Sequence, residues 1–333
     1  MLVQIKYISM KNIKSVVFTT ILAILLPVFA GCSKIYVVQW VGNGTEDQGT
    51  SGTTDDQTDG TGLGNNLVNF HASVESLNMT KSMSPISVNT RVTIYAFHGS
   101  TDNATSTSAV ARGTYISQQA GTLAGDSGYK MMLSNGVFDF YAVSTNSSDV
   151  PPVFSNGVSP KLQNGVDYLW WNVDNYDVTG AQVTVPIILN HSATQVTFEI
   201  DHGEGMYVQD IASATITVPV PGAQMDLSTG VIPPATEYDS TPASMGINGL
   251  KLQYTMLPLK TDTPMKLTIG IHANGEPDVK TYEVDVPVPD GALEAGNSYR
   301  FRAVINADDV TFAQVGVTDW VDVDETGNPL YPH

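Results

Sequence analysis

The sequence has a single cysteine, Cys32, in 333 residues. No disulfide can form within the chain, so the fold must be held together by its apolar core. Basic residues are scarce as well: 15 Lys and Arg oppose 33 Asp and Glu, which gives a formal net charge of −18. Such an acidic surface repels nucleic acid and anionic lipid, and no nucleic-acid partner is expected.

Motifs that indicate an enzyme are also lacking. No Gly-x-Ser-x-Gly sequence is present, and no two of the six histidines have the helical spacing of a zinc site. Residues 201–204 (Asp-His-Gly-Glu) are interpreted as a polar turn, and residues 322–327 lack the distal acidic ligand of a calcium loop. We therefore predict a protein that is not an enzyme and needs no metal or cofactor. The alternative is a pair of scattered carboxylates that meet in space as in a glycosidase.

Helical periodicity is missing beyond residue 31, whereas apolar residues alternate with polar ones in many segments. These segments are residues 68–74, 92–97, 137–143, 183–189, 196–200, 250–256, 267–271, 282–286, 299–305 and 312–323. Alternation places one face of a strand in the core and the other in water. The sequence therefore predicts an all-β protein with two antiparallel β-sandwich domains in tandem, over residues 67–185 and 186–333.

The N-terminal segment contains the parts of a secretory signal. Basic residues precede an apolar run over residues 16–28, and small residues follow at positions 30 and 31. The next residue, Cys32, resembles the cysteine of a bacterial lipobox, which receives a diacylglyceryl group when the chain is cut just before it. We expect a lipoprotein signal peptide over residues 1–31 and lipidation at Cys32. An ordinary secretory signal with a stray thiol is the alternative.

The segment after Cys32 is interpreted as a tether. Residues 42–66 are almost wholly Gly, Thr, Asp, Asn and Gln and show no apolar periodicity. Residues 32–66 are therefore expected to form a flexible, lipid-anchored tether. Without residues 1–31 the chain keeps 12 basic and 33 acidic residues, a net charge of −21. That charge is typical of a soluble folded region that anionic lipid repels and that only its lipid anchor joins to a membrane.

One aromatic cluster is a candidate ligand site. Trp170 and Trp171 are adjacent, with Tyr168 and Tyr176 nearby. Aromatic faces stack on sugars, so these two tryptophans are candidates for ligand stacking. The alternative is that they fill a core or cover the edge of a sheet.

Seven short motifs beyond the tether resemble those of a known family. They lie at residues 68–72, 80–82, 95–97, 135–142, 189–194, 293–301 and 317–320. Their order, with the lipobox-like cysteine, resembles the fimbrillin-like family, the lipoprotein pilins of Bacteroidales. The resemblance implies tandem β-sandwich domains of transthyretin-like, fimbrillin type. It also implies export to the outer membrane as a surface-exposed lipoprotein and assembly with other pilin subunits.

The resemblance further implies proteolytic maturation. In such pilins a protease, arginine-specific in the best-known members, removes the first strand, and the open groove accepts a strand from a neighbouring subunit. The corresponding loop here, residues 76–90, contains Lys81 where many relatives have arginine, and it ends just before Arg91. Lys81 and Arg91 are therefore the candidate maturation sites.

The C-terminal strand is the candidate donor. Its residues are Phe312, Val315, Val317, Trp320 and Val321. A strand near a chain end can leave its own sheet easily, because only one connection must move. The alternative is that it simply closes the second domain. The predicted function is a pilus subunit of the stalk or accessory type that serves adhesion. A monomeric surface lipoprotein that binds a glycan or host ligand is the alternative.

Overall fold

The computed structural model describes residues 64–76, 82–99, 104 and 108–320. These residues contain strands and turns, with no α-helix. Three single-turn 3₁₀ helices are present, at Gln119–Gly121, Asp126–Gly128 and Pro289–Gly291. The all-β class predicted from the alternation of apolar residues is therefore confirmed.

The first half of the described chain forms a single sheet. Its strands are β1 (Asn66–Ser76), β2 (Ser82–Pro85), β3 (Arg91–His98), β4 (Ala111–Ser117), β5 (Thr122–Gly125), β6 (Met131–Leu133), β7 (Gly136–Ser144), β8 (Leu169–Val178) and β9 (Gln182–His191). Seven of them follow one another in the order β1, β5, β4, β3, β7, β8, β9, and β9 pairs again with β1. The sheet thus closes into a barrel-like ring, whereas the sequence predicted two separate sheets. β2 and β6 are attached to this ring through β1.

The interior of the ring is the first apolar core. Alternate residues of β1, namely Val68, Phe70, Ala72 and Val74, are at most 4% exposed. They meet inward side chains from β4, β7 and β9. The Phe70 ring lies edge-on to Tyr115 and Phe140, with ring centroids 5.1 and 5.9 Å apart. The period-two pattern of the sequence therefore directs one side of each strand into the ring.

The second half of the described chain contains eleven strands. They are β10 (Thr194–His202), β11 (Val208–Ile216), β12 (Ala243–Ser244), β13 (Gly246–Asn248), β14 (Lys251–Met256), β15 (Leu259–Lys260), β16 (Met265–Ala273), β17 (Lys280–Val286), β18 (Ala292–Leu293), β19 (Asn297–Ile305) and β20 (Val310–Asp319). One sheet has the order β13, β14, β10, β19, β20, and another the order β12, β11, β16, β17. β15 and β18 form a separate pair. A second apolar core takes side chains from both larger sheets, with Phe198 stacked on Phe301 at 4.9 Å.

A third apolar cluster, here called the outer cluster, covers the outside of the ring. Tyr95 and Phe97 of β3 and Tyr141 of β7 pack there against loop residues such as Phe154 and Leu227. Six successive residues of β3 are buried as a result. The sequence predicted one wet face for each strand, but loops from both halves of the chain cover this one.

The sheets change partners between β9 and β10. β9 ends at His191, and β10 begins at Thr194 in a different sheet. The domain boundary expected at residues 185 and 186 lies inside β9. Ten predicted strand segments coincide with strands β1, β3, β7, β9, β10, β14, β16, β17, β19 and β20, although β20 ends at Asp319. The division into two domains stays a prediction.

Phe140 and Val137 of β7 provide a test of the ring core. Phe140 is fully buried, whereas Val137 is 42% exposed on the same strand. We expect Phe140→Ala to lower the free energy of unfolding by about 3–5 kcal/mol, because it leaves a cavity in the ring. Val137→Ala should change it by no more than about 0.5 kcal/mol. Chemical denaturation of both variants measures the difference, and equal effects would contradict the assignment of the core.

Candidate assembly site around the first and last strands

β1 holds the ring together along both of its edges. On one edge it pairs in parallel with β9 over eight positions, from Leu67 opposite Gln182 to Val74 opposite Leu189. On the other edge it pairs antiparallel with β6, β5 and β2 in turn. β9 pairs on its far side with β8 at only two positions, where Leu169 and Trp170 lie opposite His191 and Asn190. Most of β9 therefore depends on β1 for its hydrogen-bonding partner.

Removal of β1 would open one continuous groove, here called the β1 groove. Its floor is the ring core, which Phe70 and its neighbours now fill. One wall is the exposed backbone edge of β9, and the opposite wall is β5, because β2 and β6 pair only with β1. Such a groove combines apolar pockets with open backbone donors and acceptors, which are the features that an added strand satisfies.

β20 lies at the edge of its sheet and pairs with β19 along its whole length, from Ile305 opposite Val310 to Asn297 opposite Asp319. Phe312 is partly buried against the second core, and Val317 is 48% exposed. Val315 lies opposite Phe301 in the register, and Val321 lies outside the described residues. In this monomer β20 therefore closes its own sheet, and its role as a donor stays a prediction.

Trp320 follows β20 and is anchored at the end of β9. Its indole stacks on the His191 ring with centroids 4.1 Å apart and an angle of 11° between the planes. The Trp320 backbone N–H donates to the Gly296 carbonyl. His191 Nδ1 lies 2.8 Å from Asp167 Oδ1, and Asn146 donates to the second oxygen of Asp167 at 2.8 Å. Two of the sequence motifs that carry the family resemblance, residues 189–194 and 317–320, therefore meet in space.

Arg91, one of the two candidate cleavage sites, begins β3 in the middle of the ring sheet. Its Nε donates to Asp126 at 3.2 Å, and its Nη1 donates to the Ser148 carbonyl. Its own carbonyl accepts a hydrogen bond of 2.7 Å from the Ser144 hydroxyl. A protease would have to unfold this strand locally to reach the bond after Arg91. The other candidate, Lys81, lies outside the described residues, as does the lipidation site Cys32.

The two tryptophans of β8 lie on opposite faces of the strand. Trp170 packs on the outer cluster, and its Nε1 donates to the Leu227 carbonyl at 2.8 Å. Trp171 packs against the ring core. Neighbouring residues of a strand point to opposite sides, so the two rings do not form one platform. Ligand stacking at either ring stays a prediction.

Buried tyrosines fix the loops that cover the ring. The Tyr95 and Tyr168 hydroxyls each accept a backbone N–H, from Phe154 and Gln163, at 3.1 Å. Burial raises the pKa of both hydroxyls. Burial, with help from the nearby Asp174 and Asp139 carboxylates, raises the pKa of Tyr141 to about 12. These hydroxyls are buried with the apolar side chains of the outer cluster, and their hydrogen bonds fix the covering loops.

The described residues hold no group of three or more His, Cys, Asp or Glu side chains that could bind a metal ion. Within residues 64–76, 82–99 and 108–320, no helix is long and apolar enough to cross a bilayer.

The fimbrillin-like family model matches residues 79–320, which is more than half of the chain. The protein therefore belongs to the fimbrillin-like family, as the sequence motifs predicted. The matched region begins in the segment between β1 and β2 and ends at Trp320. It thus contains both candidate cleavage residues and all of β20.

Two solved structures share the fold. A candidate cell adhesion protein of Bacteroides uniformis ATCC 8492 is 16% identical, with a TM-score of 0.58 over 76% of this chain and 98% of that one. One from Bacteroides ovatus ATCC 8483 is 14% identical, with a TM-score of 0.55 over 78% and 99%. The tip fimbrial protein Mfa3 of Porphyromonas gingivalis, truncated at its C terminus, is 10% identical, with a TM-score of 0.41 over 76% and 100%. No curated protein sequence matches this chain.

The environment of Arg91 predicts resistance to proteolysis. We expect trypsin to leave the bond after Arg91 intact in the folded protein, because the residue lies in a strand that is paired on both sides. The same bond should be cut rapidly in urea. Mass spectrometry of the fragments distinguishes the two states. A native cut after Arg91 at the unfolded rate would contradict this account.

Proposed function

We propose that the protein is a structural subunit of a cell-surface pilus, of the stalk or accessory type, that assembles by strand exchange and serves adhesion. The position of β1 carries this proposal. It is the first strand of the described chain, it closes the ring, and its loss leaves a single groove. Membership of the fimbrillin-like family supports the same role. The partners are then other pilin subunits, together with a surface ligand of a host or of another bacterium.

The energetics of the β1 groove favour occupation by another strand. Each large apolar side chain that β1 buries, such as Val68, Phe70 or Val74, contributes about 1.5–3 kcal/mol relative to exposure. An empty groove forfeits these contributions and leaves the backbone of β9 without a partner from Gln182 to Leu189. A strand from a second subunit restores both at once. A single cysteine per chain cannot link a subunit to two neighbours, so a polymer relies on a large buried junction of this kind.

We further propose that β20 supplies the donor. It is an edge strand, and the apolar residues Phe312, Val315 and Val317 suit the pockets of the groove. The ring and the paired sheets that follow it are then the two tandem sandwich-type domains of the family, divided between His191 and Thr194. This division keeps the acceptor groove in one domain and the donor in the other.

The test is controlled removal of β1. Residues 77–81 are replaced by the recognition sequence of a site-specific protease, and the folded protein is then cut. We expect release of the N-terminal fragment followed by a ladder of polymers on unheated detergent gels. The uncut chain should remain a monomer.

A matched control identifies the donor. The same cleavable chain without residues 311–333 should stay folded after the cut, with a sharp thermal transition, but should not polymerise. If the chain that keeps residues 311–333 stays monomeric after β1 is released, strand exchange is refuted. If the truncated chain unfolds before any cut, β20 is a core strand and not the donor.

We also propose that the subunit reaches the outer membrane as a lipoprotein and is exposed on the cell surface. The lipobox-like position of Cys32 supports this proposal. Cys32→Ala should prevent lipidation, so the protein should move from the membrane fraction to the soluble fraction. Fractionation and mass spectrometry of the N terminus measure both effects. Membrane retention of the Cys32→Ala variant at the wild-type level would exclude the lipid anchor.

A further inference from the structure

We propose that the stack of Trp320 on His191 couples the first strand to the last: while β1 is in place, β20 is held in its own sheet. The inference rests on the proposed function, in which β1 leaves and β20 is donated. It adds an order to these events, since release of the donor would follow the opening of the groove. A precursor that still contains β1 would then be kept from donating its strand too early.

The coupling begins at β9. From Gln182 to Leu189 this strand has β1 as its ladder partner. Only its last two residues, Asn190 and His191, pair with β8. Loss of β1 therefore removes the hydrogen-bonding partner of most of β9 and exposes its inward residues to water. Strands without a partner open locally at a much lower free-energy cost than paired strands do.

His191 connects β9 to the C-terminal end of β20, so a movement of β9 after loss of β1 affects that end. The residue is the last of β9, and its ring is buried between Asp167 and the Trp320 indole. A shift of the end of β9 moves the surface on which Trp320 rests. Aromatic pairs depend on a narrow range of distance and angle, so the stack weakens when either ring is displaced.

Beyond the ladder with β19 and the packing of Phe312 on the second core, Trp320 anchors the C-terminal end of β20. The strand pairs on one side only, with β19, and Val317 near its end is 48% exposed. The Trp320 side chain is 5% exposed, and its indole N–H has no acceptor among the described residues. A buried polar group without a partner weakens its own site. The position of Trp320 rests on the stack with His191, on packing in the outer cluster and on the hydrogen bond to Gly296. The stack is the contact that makes this position sensitive to the state of β9.

Coupling between two sites is reciprocal. If β1 stabilises the buried position of the Trp320 side chain, then loss of that side chain must also lower the stability of β9 and β1 against local opening. A purely local role for Trp320 makes a different prediction, because its loss would then affect β20 and its immediate neighbours alone. Backbone hydrogen exchange of the full-length monomer separates the two, strand by strand, and requires no cleavage or polymer.

The first pair of variants removes aromatic side chains that belong to the same C-terminal segment. Trp320→Ala should speed exchange in β20 and, by about tenfold or more, in β9 and β1. Phe312→Ala is the matched control, because Phe312 packs on the second core through Phe198 and Phe301. It should speed exchange in β20 while β1 and β9 keep their wild-type rates. Trp320→Phe keeps a stacking ring and should restore protection of β9.

The second pair tests the opposite direction. Phe70→Ala weakens β1 inside the ring and should speed exchange at the C-terminal end of β20. Phe138→Ala removes the same side chain from the same core but on β7, and it controls for a general loss of stability. It should leave β20 less affected than Phe70→Ala does.

The proposal is overturned if Trp320→Ala changes exchange in β20 alone, as Phe312→Ala does. It is also overturned if Phe70→Ala and Phe138→Ala affect β20 equally. Both results are obtained from monomers, so they stand whether or not cleaved subunits polymerise. Failure to polymerise after release of β1 would instead count against strand exchange and leave the coupling measurement unchanged.

Discussion

The parallel pairing of β1 with β9 is the contact on which the ring depends. These are the first and last strands of the ring in chain order, so their pairing closes a sheet that would otherwise have two open edges. β2 and β6 are attached through β1 as well. The other six strands of the ring, β5, β4, β3, β7, β8 and β9, keep a partner if β1 is withdrawn, although β9 is then paired only at Asn190 and His191. Replacement of β1 by another strand would therefore change one side of the ring, while most hydrogen bonds among the other ring strands stay intact.

The outer cluster explains why the opposite wall is fixed. β3 and β7 have apolar side chains on both faces, one set in the ring and the other under the loops. Tyr95, Tyr168 and Trp170 donate or accept hydrogen bonds that tie those loops down. Since β3 and β7 are packed on two sides, they are held more firmly than β1 at the closure of the ring or β20 at the edge of its sheet. The stack of His191 and Trp320 lies where these two regions meet.

The strands that sequence alternation did not predict have weak patterns for identifiable reasons. The inward residues of β4 are Ala111, Gly113, Tyr115 and Ser117, which are mostly small or polar. Gly113 is needed because the Tyr129 ring lies where a Cβ would be. β11 has two register shifts in its pairing with β16, which interrupt a simple period of two. β8 has no alternating pattern, because its two tryptophans are adjacent in the sequence.

The sequence by itself determined the all-β class, the place of the long alternating strands, the absence of disulfides and the family motifs. These follow from local composition and from a period of two, which any short window of the chain contains. Only the tertiary structure decided that the first sheet closes into a ring and that Trp170 and Trp171 face apart. It alone brought the motif at His191 against the motif at Trp320. Strand partners and register depend on contacts between residues far apart in the chain, and no local pattern encodes which distant edges will meet.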